Sequence, residues 1–455
     1  MGNGPRKARA DGQHKDGEFF DVDLETSGVD KLHALQLDRL SWQLDRCYRT
    51  SSLYRSKMSA VGFEPGDLRD LSDLASLPVV RKAELRDDQR RHPPYGTFVV
   101  AEPSTWRELH PSSGTTGEPV RTLWSDTDVE TITDFTARTL WQFGVRPGDV
   151  VQNAFAYGLW VAGISAHYGA ARIGALTVPT GTGTSTERQV RYLREARSTV
   201  LLGTPSFGLR IAEELAREQG TRAGLWLRIG GFGGEAGTEN ESTRALLEQG
   251  FGIDAFDYYG LAEVGPTFAG ECAAKAGLHF CEDHVLVEAV DPTSGQPVPE
   301  GDLGVLVFTH LTREATPMVR YWSNDYAALT RDPCACGRTT VRAIGGIRGR
   351  HDDLVVFKGA KFYPSQVEAV VRSFVELGAE YVVEIEREHG GTRVTGCTVV
   401  AEWASAPVDG AMTRLRQALR GELGVTPSVR VEPPGVLERS AFKSDRLVVL
   451  EPDPP

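Results

Sequence analysis

The stretch STVLLGTPSFGLRIAEELAREQG (198–220) changes its periodicity half-way along. Val200, Leu201 and Leu202 form an apolar run of strand length, and Gly203-Thr204-Pro205 is turn chemistry. From Phe207 onward, Ile211 and Leu215 continue at helical spacing. A strand running into a helix is half of a β-α-β unit, and the same pattern extends to both sides. DVVQNAFAYG (149–158), ALTVPT (175–180) and LWLRIGGFGG (225–234) read as strands entering glycine-rich turns, and ERQVRYLREA (187–196) reads as a helix. This alternation, from about 105 to 350, predicts a layered α/β domain on a parallel sheet, with ligands beyond the strand carboxyl ends. Further upstream, Leu32, Leu35, Leu40, Leu44 and Cys47 mark a helix over 30–48.

After about 350 the texture changes. Ser365 and Glu368 read as a capping box after Pro364, and Val367, Val370, Val371 and Phe374 form one helical face. AEYVVEIE (379–386) and TGCTVVAEW (395–403) read as strands. A helix through Met412, Leu415, Leu419 and Leu423 and a last strand at SVRVEPP (428–434) complete a small α+β domain. The expected division is a disordered tail over 1–17, a large N-terminal domain over 18–349 and a small mobile domain over 350–455.

The 455 residues carry a net charge of −12, which weighs against a nucleic-acid binder because that needs a basic face. No apolar run is long enough for a membrane span, and the N-terminus has positive charge without the apolar core of a secretory signal. Six cysteines without such a signal suit the reducing cytoplasm better than a disulfide scaffold.

HPSSGTTGEPV (110–120) offers hydroxyls and mobile backbone amides to an anion but lacks the Gly-Lys-Ser/Thr of a Walker loop. Four further motifs follow in order: YYGLAE (258–263), YWSND (321–325), GRHDD (349–353) and RSAFK (439–443). With these and the longer run GRHDDLVVFKGAKFYPSQVE (349–368), the chain resembles the adenylate-forming ligases, specifically the phenylacetate–coenzyme A ligase family, from about Phe19 to Leu450.

That resemblance implies an ATP-dependent attack of a carboxylic acid on the α-phosphate, then transfer of the acyl group from AMP to coenzyme A, with the small domain rotating between steps. It implies that Ser112, Ser113, Gly114, Thr115, Thr116 and Gly117 grip the phosphates and that Glu263 holds Mg²⁺. Gly233, Gly234 and Glu235 would line the adenine, Tyr259 could stack on it, and Tyr258 and Gly260 would belong to the same nucleotide site. Asp325 would take the ribose hydroxyls, Arg350 a phosphate or ribose oxygen, Asp352 the hinge, and Lys443 the charge between carboxylate and α-phosphate. The chain departs from the family at two points. Phe442 replaces the usual Gly before the lysine. Glu118 and Val120 occupy places where relatives often carry a lysine, so Glu118 is expected to point away and Arg121 to supply the cation.

The resemblance also places the acid pocket among Tyr157, Gly158, Trp160, Gly163, Phe232, Ala236 and Gly237, a lining suited to a flat aryl or arylacetic acid. Cys272, His279, Cys334 and Cys336 have the composition of a closed structural Zn²⁺ site, with Cys281 and His284 as rival ligands. His110 and His167 read as hydrogen-bonded histidines beside motifs, and Cys47 and Cys397 as core. Lys358 and Lys361 are placed to meet the phosphates of coenzyme A. A carrier-protein thiol, an amine or another small nucleophile is the alternative acceptor, and a non-catalytic nucleotide-binding protein is a third reading. A homodimer fits the resemblance.

Overall fold

The computed structural model describes residues 17–112, 118–218, 222–388, 393–439 and 446–450. Helices α1 (Val22–Glu25), α2 (Val29–Thr50), α3 (Ser52–Ala60) and α4 (Lys82–Arg91) precede a hairpin of β1 (Trp106–Pro111) and β2 (Arg121–Ser125). Helix α2 buries Leu32, Leu40, Leu44 and Cys47 as its spacing requires. It also buries Gln36 and Gln43, whose amides donate to the carbonyls of Glu282 at 2.9 Å and Arg313 at 2.8 Å.

The alternating region follows: α5 (Asp126–Gln142), β3 (Val150–Asn153), α6 (Val161–Ile173), β4 (Leu176–Val178), α7 (Thr186–Glu195), β5 (Val200–Gly203), α8 (Pro205–Arg217), β6 (Ile229–Gly233), α9 (Glu241–Phe251) and β7 (Asp254–Leu261). The parallel strands lie in the order β4-β3-β5-β6-β7. One apolar cluster joins α5 and α6 to one face of this sheet, and another joins α7, α8 and α9 to the other. This is the layered arrangement expected of strand–helix alternation. The strand expected over 225–234 begins only at Ile229.

Beyond β7 the sheet becomes antiparallel. It adds β8 (Gly265–Glu271), β9 (Leu278–Phe280), β10 (Val285–Val290), β11 (Leu303–His310), β12 (Tyr321–Thr330) and β13 (Arg342–Ala343), in the spatial order β8-β9-β13-β12-β11-β10. A two-residue strand, β14 (Gly349–Arg350), pairs with β12 and ends the large sheet where the composition changes.

The small domain comprises β15 (Val355–Phe357), β16 (Ala360–Phe362), α10 (Pro364–Arg372), β17 (Leu377–Arg387), β18 (Val394–Trp403), α11 (Ala411–Leu423), β19 (Ser428–Glu432) and β20 (Leu447–Leu450). Its sheet runs β19-β18-β17-β20, and its core is drawn from Val355 to Val429. The expected Ser365–Glu368 capping box does not form. Pro364 takes the first helical position, so Tyr363 is the cap and Gln366 accepts its amide at 3.0 Å. Glu368 instead accepts hydrogen bonds from Thr243 Oγ1 of the large domain at 3.0 Å and from Tyr381 at 3.0 Å, and pairs with Arg372. Arg372 also donates to Thr243 at 2.8 Å, so α10 docks on α9 through a buried polar cluster.

Candidate active site

A cavity of about 540 Å³ opens between the two domains. Gly234, Glu235 and Ala236, directly after β6, and Tyr258 to Leu261, at the end of β7, form one wall. This is the carboxyl edge of the parallel strands, where an open α/β sheet holds its ligands. Glu235 is fixed by the Ser206 amide, which donates to it at 2.8 Å.

Strands β7 and β8 form a tight hairpin, with Leu261 opposite Gly265, so Glu263 stands at its tip. Gly260 is required there, since a Cβ would lie 2.0 Å from the Pro266 carbonyl oxygen. A hairpin tip ordinarily faces water, yet Glu263 is only 5% exposed. Lys82 Nζ of α4 lies 2.9 Å from its Oε1, but among the described residues no donor reaches that oxygen in hydrogen-bonding geometry. A buried, hydrogen-bond-deficient carboxylate oxygen already facing a cation fits a hard divalent ion such as Mg²⁺.

Opposite, the β12–β14 register sets Asp325 directly across from Arg350. Arg350 Nη1 lies 4.0 Å from Asp325, and the guanidinium also reaches Asp352 at 3.2 Å. Burial works to lower the Arg350 pKa, but Asp325, Asp352 and Asp353 outweigh it and hold it above the usual value. Tyr259 donates to Asp325 at 2.6 Å and packs its ring among Phe268 and Phe308. It lines the cavity with its hydroxyl already engaged. The small domain supplies Glu368, Arg372, Tyr381, Arg446 and Leu447 to the facing wall. Glu239 also lines the cavity, and burial and the Glu368 charge push its carboxyl up to about 7. Asp257 is raised in the same direction by burial, Glu239 and Glu271.

Other expected residues fall as follows. Ser112 is buried at the base of the β1–β2 connection, its Oγ accepting the Val120 amide at 3.0 Å. Ser113 to Gly117 and Lys443 lie outside the described residues. Arg446, three positions after Lys443, lines the cavity. Arg121 donates to Glu118 at 3.1 Å and to the Pro94 carbonyl at 3.2 Å, so these two opposite charges pair with each other.

Of the expected acid-pocket residues, Ala236 lines the cavity. Trp160 abuts it, its ring edge 3.2 Å from where a Gly234 Cβ would stand. Tyr157, Gly158 and Gly163 belong to the adjoining β3–α6 segment. There the Tyr157 hydroxyl contacts Asn153 at 2.8 Å and His167 at 3.3 Å. Gly237 follows on the β6–α9 connection, where a Cβ would lie 2.8 Å from the Pro205 ring. Phe232 is a correction. It is fully buried, packs toward Gly208 and Leu247 beneath α8 and α9, and contributes to that core instead of the cavity. Successive strand residues face opposite ways, and Phe232 takes the helix-covered face.

Sequence reading missed Arg81, Lys82 and Arg86, which bring three cations from one end of α4 to the cavity. The available signal was electrostatic: Arg81 and Lys82 start a helix, where the dipole disfavours cations.

The four expected zinc ligands converge elsewhere. Cys272 follows β8, His279 lies in β9, and Cys334 and Cys336 sit between β12 and β13. Their ligand atoms all lie within 4.8 Å of one another, with Cys272 Sγ to Cys334 Sγ at 3.7 Å and Cys336 Sγ to His279 Nε2 at 3.5 Å. A tetrahedron with Zn–S near 2.3 Å and Zn–N near 2.0–2.1 Å requires edges of about 3.8 and 3.6 Å. The other ring nitrogen, Nδ1, contacts Thr340 Oγ1 at 3.2 Å, an outer partner of the kind that orients metal-bound histidines. The rivals are engaged differently. His284 contacts Thr312 at 2.9 Å and Asp283 at 3.2 Å, and Cys281 is buried apart from the four. The following residues anchor the start of the described chain: Arg338 pairs with Glu25 at 2.7 Å, and Thr339 donates to the Glu25 and Ser27 carbonyls.

Among the described residues no helix is long and apolar enough to cross a membrane. The family model described as AMP-binding enzyme matches residues 74–318, and that of the AMP-binding enzyme C-terminal domain matches 359–449. Phenylacetate-coenzyme A ligase of Thermus thermophilus is 37% identical, covering 93% of this chain and 97% of its own. The enzyme of that name from Escherichia coli is also 37% identical, over 94% and 97%. The solved 2-hydroxyisobutyryl-CoA ligase in its postadenylation state with R3-HIB-AMP superposes with a TM-score of 0.92, at 28% identity over 98% of this chain and 96% of that one. The same ligase in its thioesterification state, with 2-HIB-AMP and CoA, gives 0.75 over the same shares. The two domains are therefore placed more as in the postadenylation structure than as in the thioesterification one. From the ordered motifs, the cavity between the domains and these matches, the chain belongs to the adenylate-forming, AMP-binding enzymes, within the phenylacetate–coenzyme A ligase-like family.

Proposed function

We propose that this protein is an AMP-forming acid–thiol ligase: it joins an aromatic carboxylic acid to AMP using ATP, then passes the acyl group to coenzyme A. The observation that carries this is the convergence of the Asp325–Arg350 pair, Lys82 with Glu263 paired to it, and the small-domain residues Arg372 and Arg446 on one cavity.

In the first half-reaction the acid's carboxylate oxygen attacks the α-phosphorus, and the bond to the bridging pyrophosphate oxygen breaks. Asp325 accepts the ribose hydroxyls, with Tyr259 and Arg350 fixing its orientation. Ser112 with Ser113, Thr115 and Thr116 holds the β- and γ-phosphates, and Gly114 and Gly117 let the backbone approach. Arg81, Lys82 and Arg86 supply the positive field that the loop, with Arg121 tied to Glu118, does not. Lys443 balances charge between carboxylate and α-phosphate, where a preorganised cation acts most strongly. Mg²⁺ held at Glu263 would screen the phosphates and polarise the reacting one. Gly233, Gly234 and Glu235 flank the adenine. Trp160 and its neighbours favour a flat aryl or arylacetic acid over a linear one.

In the second half-reaction the small domain turns about Asp352 and brings Lys358 and Lys361 toward coenzyme A. Its thiolate then displaces AMP. The buried Thr243–Glu368–Arg372 contact has to part for this turn. Cys272, His279, Cys334 and Cys336 hold a structural Zn²⁺.

Pyrophosphate release tests the reading, measured across aryl, arylacetic and linear acids with ATP and Mg²⁺, each with and without coenzyme A. Aryl acids should lead, with an acyl-CoA product. Background release with every acid would overturn the reading, and release without thioester would transfer it to another acceptor.

A further inference from the structure

The hairpin tip that carries Glu263 is buried, so its main-chain polar groups need partners inside the protein. The Val264 amide is satisfied within the turn by the Leu261 carbonyl at 3.2 Å. The Val264 carbonyl is not satisfied by any strand. Two buried side chains reach it instead: His310 Nε2 at 2.6 Å, from the end of β11, and Arg313 Nη2 at 2.6 Å, three residues later. The Met318 amide donates to His310 Nδ1 at 2.8 Å. Nδ1 is therefore the acceptor and Nε2 carries the proton given to Val264. Burial first, and the Arg313 charge second, keep this imidazole neutral.

The expense of this arrangement is visible. Arg313 is 5% exposed, its Nη1 has no hydrogen-bond partner, and no carboxylate pairs with it among the described residues. Burying a guanidinium without an ion pair is costly, and here it serves a main-chain carbonyl of the hairpin turn. What the two donors secure is the Val264–Gly265 peptide, one residue beyond Glu263, and through it the turn that sets the direction of the Glu263 carboxylate.

We infer that His310 and Arg313 are positioning residues for the metal-binding carboxylate: through the Val264 carbonyl they aim Glu263 at the nucleotide's divalent ion. This rests on the reading of Glu263 as the metal ligand. Outer partners of this kind set metal affinity by about 10–100-fold when removed. A merely structural role would lower stability and leave the affinity of the folded protein for the ion unchanged.

The test uses the full-length protein, Mn²⁺ and a non-hydrolysable ATP analogue, with bound Mn²⁺ read by electron paramagnetic resonance. His310→Phe removes the donor and keeps a ring. His310→Gln restores an N–H at similar reach. Glu263→Gln reports on the metal reading itself. His310→Phe should bind Mn²⁺ about 10–100-fold more weakly, with His310→Gln closer to wild type. Thioester formation from supplied acyl-adenylate should stay within about twofold in both, since no metal–phosphate contact is needed there. Should His310→Phe not fold, Arg313→Lys carries the test, because it keeps the charge but withdraws the fork that reaches Val264. Mn²⁺ affinity that falls in Glu263→Gln but holds in the folded His310 or Arg313 variant overturns the positioning role alone. Affinity unchanged in Glu263→Gln removes the metal reading and this inference with it.

Discussion

Glu263 stands two residues before strand β8 begins and Cys272 one residue after it ends, about 30 Å apart along an extended chain at 3.3 Å per residue. As proposed cation sites, the two ends of this strand would work on opposite plans. At the first, one buried carboxylate lies against Lys82, which lines the cavity. At the second, three thiols and an imidazole face one another and leave no position open. The number of ligands a chain supplies distinguishes an ion that arrives with a substrate from one that stays with the fold.

That contrast predicts mutations that separate chemistry from stability. The largest effect is expected at the open end. Glu263→Gln should slow acyl-adenylate formation roughly 10³-fold, equivalent to about 4 kcal/mol of transition-state stabilisation. Its melting midpoint should hold, because the change removes a buried charge without opening a cavity. Normal rates at limiting Mg²⁺ would show that the ion is held elsewhere.

Next comes Lys443→Ala, which keeps the cavity's large-domain wall intact. Adenylation should fall by about 10²–10³. Thioester formation from synthetic acyl-adenylate should remain near wild type, since a different face of the small domain serves that step. Equal loss in both halves would argue for a structural lysine.

The closed end should behave inversely. Protein purified without added metal should contain about one zinc per chain, as one closed site requires. Cys336→Ser should lower the melting midpoint, roughly 1–2 °C for each kcal/mol lost in a domain of this size. The rate at low temperature should change little. A zinc-free preparation with full stability would rule the site out.

The smallest effect is a pH dependence at the domain contact. Glu239 titrates at about 7 when folded, against 4.5 ordinarily, so the folded state holds its proton more tightly than the unfolded one. Stability should therefore decline as pH rises from about 4.5 to 7 and then level off, and Asp257 contributes with the same sign. Glu239→Gln should flatten part of that decline in melting curves between pH 5 and 8. An unchanged slope would show that Glu239 ionises freely.

Much of this plan was legible in the sequence. The switch from strand to helical periodicity across 198–220 becomes β5 and α8, because an apolar run and a 3.6-residue stripe are direct records of which surfaces are buried. The convergence of Cys272, His279, Cys334 and Cys336 could be proposed because a tetrahedral site demands particular residue types, even 64 positions apart. Lys82 was not legible. Its place beside Glu263 depends on how α4 docks against the β7–β8 hairpin, which no local pattern encodes. Phe232 and Ser365 were misread for a related reason. A residue near a motif has two faces to choose from, and Pro364 moved a cap by two positions.

The pairing of Glu25 with Arg338 spans 313 positions. A ribosome adds about 5–20 residues per second, so roughly 15–60 s separate the synthesis of the two partners. Gln36 and Gln43 wait nearly as long for the carbonyls of Glu282 and Arg313. The first helices are thus among the first made and the last secured. During translation, the apolar stripe of Leu32, Leu40 and Leu44 has only the local cover of α3, whose Tyr54 and Met58 share a core with Leu40 and Leu44. Such part-exposed surface is where a chaperone holds a nascent chain.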